Sequence, residues 1–150
     1  MAELTFRRAV ERDLPAIVAM LADDVLGAER ESLDDLGPYR AAFAAIDANP
    51  NQLLLVAERD GNVVGTAQLT FIPGLSHKGM WRCDIEAVRI RSDQRGSGLG
   101  SALIRWCIDT ARDRGCGMVQ LTSNATRLDT HRFYTRLGFT QSHVGFKLML

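Results

Sequence analysis

The sequence has few cysteines and no excess of charge of either sign. Its three cysteines, Cys83, Cys107 and Cys116, include no Cys-x-x-Cys pair, so we expect neither a disulfide framework nor a metal site. Lysine plus arginine equals aspartate plus glutamate at 18 each. Because the chain lacks the basic excess that drives binding to phosphate backbones, nucleic acid is not an expected partner.

Long hydrophobic runs are also missing. The longest strongly apolar run, residues 53–57, is far shorter than the ~20 residues that a membrane span needs, and residues 1–13 lack the apolar core of a signal peptide. We therefore expect a cytoplasmic protein with no membrane partner. With 150 residues, of which 46% are hydrophobic and 24% charged, the composition predicts one globular domain over residues 1–150.

The hydrophobic pattern predicts an α/β (α+β) fold with an antiparallel sheet in its middle. Alternating apolar residues predict strands at residues 4–10, 52–58, 63–71, 80–90, 119–122 and 140–149. Helical periodicity predicts helices at residues 14–25, 39–46, 99–111 and 129–137, the first capped by Asp13. Asp60-Gly61 between two strand-like runs predicts a hairpin.

A glycine-rich turn, residues 95–100, links the strand at residues 80–90 to the longest predicted helix. Glycines let backbone N–H groups approach a ligand closely, and a helix N-terminus favours an anion, so a phosphate is the expected ligand. The turn lacks the Lys-Ser or Lys-Thr of a Walker loop, and Ser101 stands where a dinucleotide fingerprint needs glycine. Nucleoside triphosphatase and dinucleotide-binding functions are therefore disfavoured.

Two motifs together resemble a known family. Arg95, Gly98 and Gly100 form Arg-x-x-Gly-x-Gly, and residues 133–139 form Phe-Tyr-x-x-x-Gly-Phe one helix and one strand downstream. This combination resembles the GNAT superfamily of acetyl-CoA-dependent N-acetyltransferases. The resemblance covers essentially the whole chain but is specific only between about residues 84 and 139.

The resemblance implies a central mixed, mostly antiparallel sheet of about six to seven strands, flanked by about four helices. The fourth and fifth strands would splay apart, and the cosubstrate acetyl-CoA would lie in the gap. The residues implied as acetyl-CoA contacts are Val88, Arg89, Ile90, Arg95, Gly96, Ser97, Gly98, Leu99, Gly100, Ser101, Asn124 and Tyr134. Arg132 or Arg136 would reach a phosphate of CoA, or would simply be solvated surface charges.

The chemistry needs a base, because an alkylamine with a pKa near ~10.4 is almost entirely protonated at neutral pH. By resemblance Glu86 is the first candidate and Asp84 the second. Strand alternation predicts Asp84, Glu86 and Val88 on one face, where two like charges would raise the pKa of one carboxyl. The alternative interpretation is that both carboxylates form ion pairs with Arg82 or Arg89 across the sheet.

Tyr134 would donate a proton to the departing CoA thiolate, and the N–H of Val88 would stabilise the oxyanion. No acyl-enzyme is expected, because Cys83 and Cys107 have no histidine at a recognisable spacing and lie in strongly patterned segments. These two catalytic assignments, Glu86 and Tyr134, follow from the resemblance.

The acceptor is expected to be a primary amine of a small molecule, chosen by residues 26–39 and 73–80. Glu29, Glu31, Asp34 and Asp35 would attract a cation or form a solvated helix start. Three alternatives stay open: a CoA-binding sensor without turnover, an acetyltransferase of protein or peptide amines, and a nucleotide-binding regulatory domain. Pairing or exchange of residues 140–149 at a sheet edge would make a homodimer.

Overall fold

The computed structural model describes residues 3–24 and 26–150. The five strands are β1 (Leu4–Arg8), β2 (Gln52–Arg59), β3 (Asn62–Ile72), β4 (Arg82–Ile90) and β5 (Met118–Leu121). The longer helices are α1 (Leu14–Ala22), α3 (Gly37–Ala48), α5 (Leu99–Asp113) and α6 (Leu128–Arg136). The helical turns α2 (Gly27–Arg30) and α4 (Ser76–Gly79) have four residues each, and 3-10 turns lie at Glu11–Asp13 and Ser92–Gln94.

All five strands form one sheet in the order β1-β2-β3-β4-β5. Strands β1 to β4 are antiparallel neighbours, and the predicted hairpin joins β2 and β3 at Arg59 and Asn62. The mixed, mostly antiparallel sheet is confirmed, with fewer strands than expected. The difference lies at the C-terminus, because residues 140–149 are in no strand.

Strand β5 runs parallel to β4 and is much shorter. The N–H of Gly117 donates to the carbonyl oxygen of Trp81 at 2.8 Å, and three residues later along both strands the Gln120 side chain hydrogen-bonds Asp84. The two strands therefore run in the same direction. Strand β5 ends at Leu121, whereas β4 continues to Ile90. The last part of β4 therefore extends past the end of β5, and the splay of these two strands stays a prediction.

The two faces of the sheet are covered differently. On one face Leu54 and Val56 pack with Ile17 of α1, and Phe43 and Ile46 of α3 join them. The other face carries the residues covered by α5, including Leu69, Cys83 and Ile85 of the sheet and Leu103, Ile104 and Cys107 of the helix, all at most 2% exposed. The α5 face is thus closed by apolar packing.

The predicted cap of α1 differs from the structure. Asp13 stands at the N-cap, but its carboxylate makes no cap hydrogen bond to that helix. It accepts from the Val10 N–H at 2.8 Å and from the Arg7 guanidinium at 2.7 and 2.9 Å, and it is 5% exposed. The prediction was wrong because a nearby cation competes for the carboxylate. The predicted helix end at Val25 falls outside the described residues.

The chain divides into two compact units, Met1–Gln120 and Leu121–Leu150. The second unit contains α6, which ends at Arg136, just before the predicted stop at Gly138, a glycine in the left-handed region (φ 102°). One domain over residues 1–150 stays a prediction. Within residues 3–24 and 26–150, no helix combines the length and apolar character that spanning a bilayer requires.

Candidate active site

Strand β4 contains a β-bulge at Ala87 and Val88. Glu86 pairs with Gln68 and Arg89 with Thr66, so two residues of β4 stand opposite the single Ala67 of β3. Ala87 has a φ of 53°, a left-handed conformation that is uncommon for a residue with a Cβ. The extra residue bends the strand and leaves backbone groups outside the ladder.

The bulge corrects the predicted alternation. Asp84 and Glu86 share a face, as predicted, because their partners Thr70 and Gln68 are two residues apart on β3. Beyond the bulge the order is reversed, so Arg89, not Val88, lies on the face of Glu86. Simple alternation failed because it assumes that each residue of β4 opposes one residue of β3.

Backbone groups after the bulge point away from β3. The N–H of Arg91 donates to the carbonyl oxygen of Val64 at 2.8 Å, which makes these two residues a hydrogen-bonded pair. Such pairs alternate with non-bonded pairs, so the N–H and C=O of Ile90 point to the other side, where β5 has already ended. The carbonyl oxygen of Val88 accepts from Nη1 of Arg89 at 2.9 Å.

The glycine turn lies between β4 and α5. Gly96 and Gly98 have φ values of 79° and 83°, and a Cβ on either would meet no atom within 4 Å. The glycines are therefore required by backbone conformation, and the space beside them is open. Gly98 caps α5, whose first helical bond joins the N–H of Ala102 to the carbonyl oxygen of Gly98.

The first amides of α5, those of Leu99, Gly100 and Ser101, precede this bond, and no acidic side chain occupies the first turn. An N-terminus of this kind favours an anion. The Leu99 side chain is 1% exposed and packs into the core, so only the backbone of Leu99 is available to a ligand.

Two aspartates that follow α1 lie close to Arg89 of β4 and Arg95 of the glycine turn. The Asp24 carboxylate lies 3.3 Å from Nε of Arg89 and also accepts from the Gly27 N–H at the start of α2. Asp23 lies 3.9 Å from Arg95, and both side chains are more than half exposed. A cavity of about 440 Å³ runs beside α1 and is lined by Ala16, Ala19, Met20, Ala22, Asp23, Leu33, Val63 and Arg91.

Polar side chains form a row across the sheet on the face covered by α1 and α3. The row consists of Gln52, Gln68, Thr70, Asp84, Glu86 and Gln120. Nε2 of Gln52 donates to Oγ1 of Thr70 at 2.8 Å, and Nε2 of Gln68 donates to Oε1 of Gln52 at 2.9 Å. Gln68 stands opposite Glu86 and Thr70 opposite Asp84. The two carboxylates thus lie next to the hydrogen-bonded side chains of β2 and β3, on the same face of the sheet.

The Asp84 carboxyl holds a proton near neutral pH. Burial, followed by the hydrogen bond and the charge of Glu86, raises its pKa to about 7, although Gln120 and Arg82 act in the opposite direction. The charge of Arg82 therefore does not determine the pKa of Asp84. Arg89, the other possible cation, pairs with Asp24 instead. The arrangement favours a carboxylate pair over the alternative of ion pairs across the sheet.

Asn124 and Tyr134 lie in the second unit, and their expected parts in the site stay predictions. Oδ1 of Asn124 accepts from the N–H and hydroxyl of Thr126 at 3.0 and 2.6 Å, which orders the loop before α6. The Tyr134 ring packs edge-on against Phe133 at 5.1 Å and Phe139 at 5.7 Å. Arg132 forms an ion pair with Asp129.

Sequence reasoning missed four members of the polar row, namely Gln52, Gln68, Thr70 and Gln120. The available signal was that Gln68 and Thr70 stand two residues apart in β3, which places both on one face. Their connection to Asp84 and Glu86 depends on the register of three strands, which the pattern alone does not give.

The cysteines have the character of packing residues. Cys83 and Cys107 are fully buried, and burial raises the pKa of each thiol to about 12. A thiol with such a pKa is a poor nucleophile at neutral pH. In the part of the chain that the structure describes, no group of three or more His, Cys, Asp or Glu side chains could hold a metal ion.

Comparison with known proteins gives a consistent result. Residues 16–139 match the Acetyltransferase (GNAT) family. The aminoalkylphosphonate N-acetyltransferase of Salmonella typhimurium is 34% identical, over 93% of this chain and 87% of that protein. The L-methionine sulfoximine/L-methionine sulfone acetyltransferase of Pseudomonas paraeruginosa is 30% identical, over 90% of this chain and 79% of that protein.

A solved structure described as a transcriptional regulator from Bacillus halodurans is also similar. The two chains are 44% identical, and the match covers 99% of this chain and 100% of that one, with a TM-score of 0.95. The fold, the glycine turn and these similarities define an acyl-CoA-dependent N-acyltransferase. The chain belongs to the GNAT family of acetyltransferases, and its reaction is acetyl transfer to an amine.

The raised pKa of Asp84 predicts how stability depends on pH. The folded protein keeps the Asp84 proton up to about pH 7, whereas the unfolded chain releases it near the ordinary value of 3.8. Stability due to this group is therefore lost as the pH rises from about 4 to about 7. We expect Asp84→Asn to melt at a higher temperature than the wild type at pH 8, with a difference that shrinks toward pH 4. A difference in melting temperature between the two proteins that stays the same from pH 4 to pH 8 would contradict the raised pKa.

Proposed function

We propose that this protein transfers the acetyl group of acetyl-CoA to a primary amine of a small molecule by direct attack, without an acyl-enzyme. The observation that carries the proposal is the bulge of β4, which lies between the Asp84–Glu86 pair and the glycine turn. The same strand thereby carries the candidate base and leads into the candidate phosphate site.

The residues present fit acetyl-CoA. The backbone groups of Val88 and Ile90 would hold the pantetheine arm, and the amides of the turn and the first turn of α5 would hold the pyrophosphate. Support comes from the open space at Gly96 and Gly98, which a phosphate group would use. When bound, acetyl-CoA supplies an activated acetyl group on a thiol leaving group.

The carboxylate pair would remove the proton from the incoming ammonium group. Glu86 is exposed on the sheet face, while Asp84 beside it is partly buried and hydrogen-bonded to it. A carboxyl pair that exchanges a proton near pH 7 can act as a general base at neutral pH, because a catalytic base works best when its pKa lies near the working pH. We assign Glu86 as the base and Asp84 as the neighbour that tunes it.

Tyr134 would donate a proton to the thiolate that leaves. Its ring is held by Phe133 and Phe139, so the orientation of the phenol is restricted. The Val88 N–H would donate a hydrogen bond to the developing oxyanion. The support for both roles is the family motif at residues 133–139 and the bulge at residues 87–88.

The choice of a small amine is supported by two relatives whose names specify small amine substrates, an aminoalkylphosphonate and methionine sulfoximine. Protein and peptide amines remain the alternative acceptor class. A screen that measures thiol release with both classes separates them, because only the accepted class releases CoA above the rate of thioester hydrolysis.

A second candidate is a CoA-binding regulatory module without turnover. It is favoured by the solved structure described as a transcriptional regulator, which is 44% identical to this chain. The two candidates differ in one observation, since a regulatory module would bind acetyl-CoA tightly and release no CoA with any amine. Thiol release with one amine class would exclude it.

Binding at the glycine turn is tested by Gly98→Asp. A carboxylate there would repel phosphate and enter the open space, and aspartate is strained at a φ of 83°. Acetyl-CoA at ~100 times its dissociation constant should stabilise the wild type by about 2.7 kcal/mol in thermal unfolding. We expect this stabilisation to be lost in Gly98→Asp and kept in Gly61→Asp, a control with the same kind of strain (φ 75°) in the β2–β3 hairpin. Equal stabilisation of both variants would remove the turn from the binding site.

The base is tested by Glu86→Gln. General base catalysis contributes ~100-fold or more, so we expect kcat to fall by about that factor while the acetyl-CoA dissociation constant stays the same. The wild-type kcat should rise with pH through about 7, where Asp84 titrates, and in the variant this rise should shift to lower pH because the charge of Glu86, which helps to raise the Asp84 pKa, is gone. The control is Glu58→Gln, which alters a carboxylate paired with Arg7. A wild-type pH profile in Glu86→Gln would assign the base to another group.

The proton donor is tested by Tyr134→Phe. This change keeps the aromatic packing with Phe133 and Phe139 and removes only the hydroxyl. We expect kcat to fall by ~10- to 100-fold with little change in acetyl-CoA affinity or melting temperature. Unchanged turnover would exclude Tyr134 as the donor.

A further inference from the structure

Arg82, the first residue of β4, carries a guanidinium group that has no partner in the protein. The side chain is half-buried, and its Nε atom is buried and makes no hydrogen bond. Among the residues that the structure describes, none forms a hydrogen bond or an ion pair with the Arg82 side chain. An unpaired buried donor on a charged group is destabilising, so its presence in a native fold calls for an explanation.

Two other arginines also have a buried Nε atom, and both differ from Arg82 in having a partner. Arg59 donates from Nη1 to Oε1 of Gln94 at 2.8 Å. Arg89 lies 3.3 Å from the Asp24 carboxylate. Of these three guanidinium groups, Arg82 is therefore the one that is left to bind a ligand.

Arg82 lies on the same face of the sheet as the two carboxylates of β4. Its partner on β3 is Ile72, two residues beyond the partner of Asp84, and side chains two residues apart in a strand share a face. Arg82 and Glu86 are four residues apart, so their Cα atoms are separated by about 13 Å. Both side chains are long, so their charged ends can contact the two ends of one small molecule.

The neighbours of Arg82 do not neutralise its charge. On β3 it faces the apolar Ile72. On β5 its neighbour is Met118, because Met118 precedes Gln120 by two residues just as Arg82 precedes Asp84. Asp84 itself keeps a proton up to about pH 7, and a carboxyl group in that form does not neutralise a cation. The positive charge is therefore available on the face that carries the candidate base.

We propose that Arg82 determines acceptor specificity by binding an oxyanion, a carboxylate or a phosphate group, on the same molecule that presents its amine to Glu86. This inference rests on the proposed function and names its substrate class. A planar guanidinium matches the two oxygens of such an anion with two parallel hydrogen bonds. The amine arrives as a cation and is attracted by Glu86, so the expected acceptor is a zwitterion.

The test compares kcat/KM for matched acceptors, measured by thiol release. The panel consists of linear primary amines of two to five carbon atoms that end in a methyl group, a carboxylate or a phosphate. We expect the wild type to prefer at least one of the two anionic series over the methyl series. In Arg82→Met this preference should fall by ~10- to 100-fold, because hydrogen bonds between charged groups are lost. The variant also alters the charge near Asp84, but that effect is common to all acceptors and cancels in the ratio.

Two further variants serve as controls. Arg105→Met removes a cation from an exposed position of α5 and should keep the wild-type preference. Arg82→Lys keeps the charge without the planar fork, so it should keep part of the preference. The melting temperature of Arg82→Met should not fall, because the guanidinium has no partner in the protein to lose.

The outcomes separate this inference from the function on which it rests. A wild type that uses the methyl and anionic series equally, or an Arg82→Met variant that keeps the preference, would overturn the inference and leave acetyl transfer to small amines in place. Thiol release with no amine of the panel would overturn the proposed small-amine function and this inference with it.

Discussion

The bulge at Ala87 and Val88 is the constraint on which the candidate site depends. It holds a residue with a Cβ in the left-handed region, at a cost of about 1–2 kcal/mol, and the packing on both sides of the strand must sustain it. Before it, Cys83 and Ile85 are buried against the α5 face, and after it Ile90 packs with Val64 and Leu99. The strand is thus anchored at both ends of the strained residue.

Two consequences follow from this one extra residue. Asp84 and Glu86 stay in register with the polar row, while the backbone of Ile90 turns toward the side where β5 has ended. Without the bulge Arg89 would lie on the other face and could not meet Asp24 from the end of α1. The bulge therefore connects the strand that carries the carboxylates to the segment that follows α1.

Much of the fold could be predicted from the sequence, because periodicity and glycine placement are local signals. The β2–β3 hairpin, the apolar face of α5, the glycine turn and the stop at Gly138 all follow from residues close in the chain. The bulge could not be predicted, since a left-handed residue is usually marked in the sequence by glycine and this position is occupied by Ala87. The polar row could not be predicted because it depends on the register across three strands. The role of Asp13 could not be predicted because Arg7 competes with the helix N-terminus for its carboxylate.

The two faces of the sheet also restrict how an acceptor could reach the carboxylates. The α5 face is closed by side chains such as Leu103, Ile104 and Cys107, which have no exposure at all. The opposite face is less tightly sealed, because α3 contributes no fully buried residue. Since Asp84 and Glu86 lie on the face of α1 and α3, the proposed amine would approach the carboxylates from that side of the sheet. That approach leads to the part of β4 just before the bulge, where the strand leaves its ladder with β3.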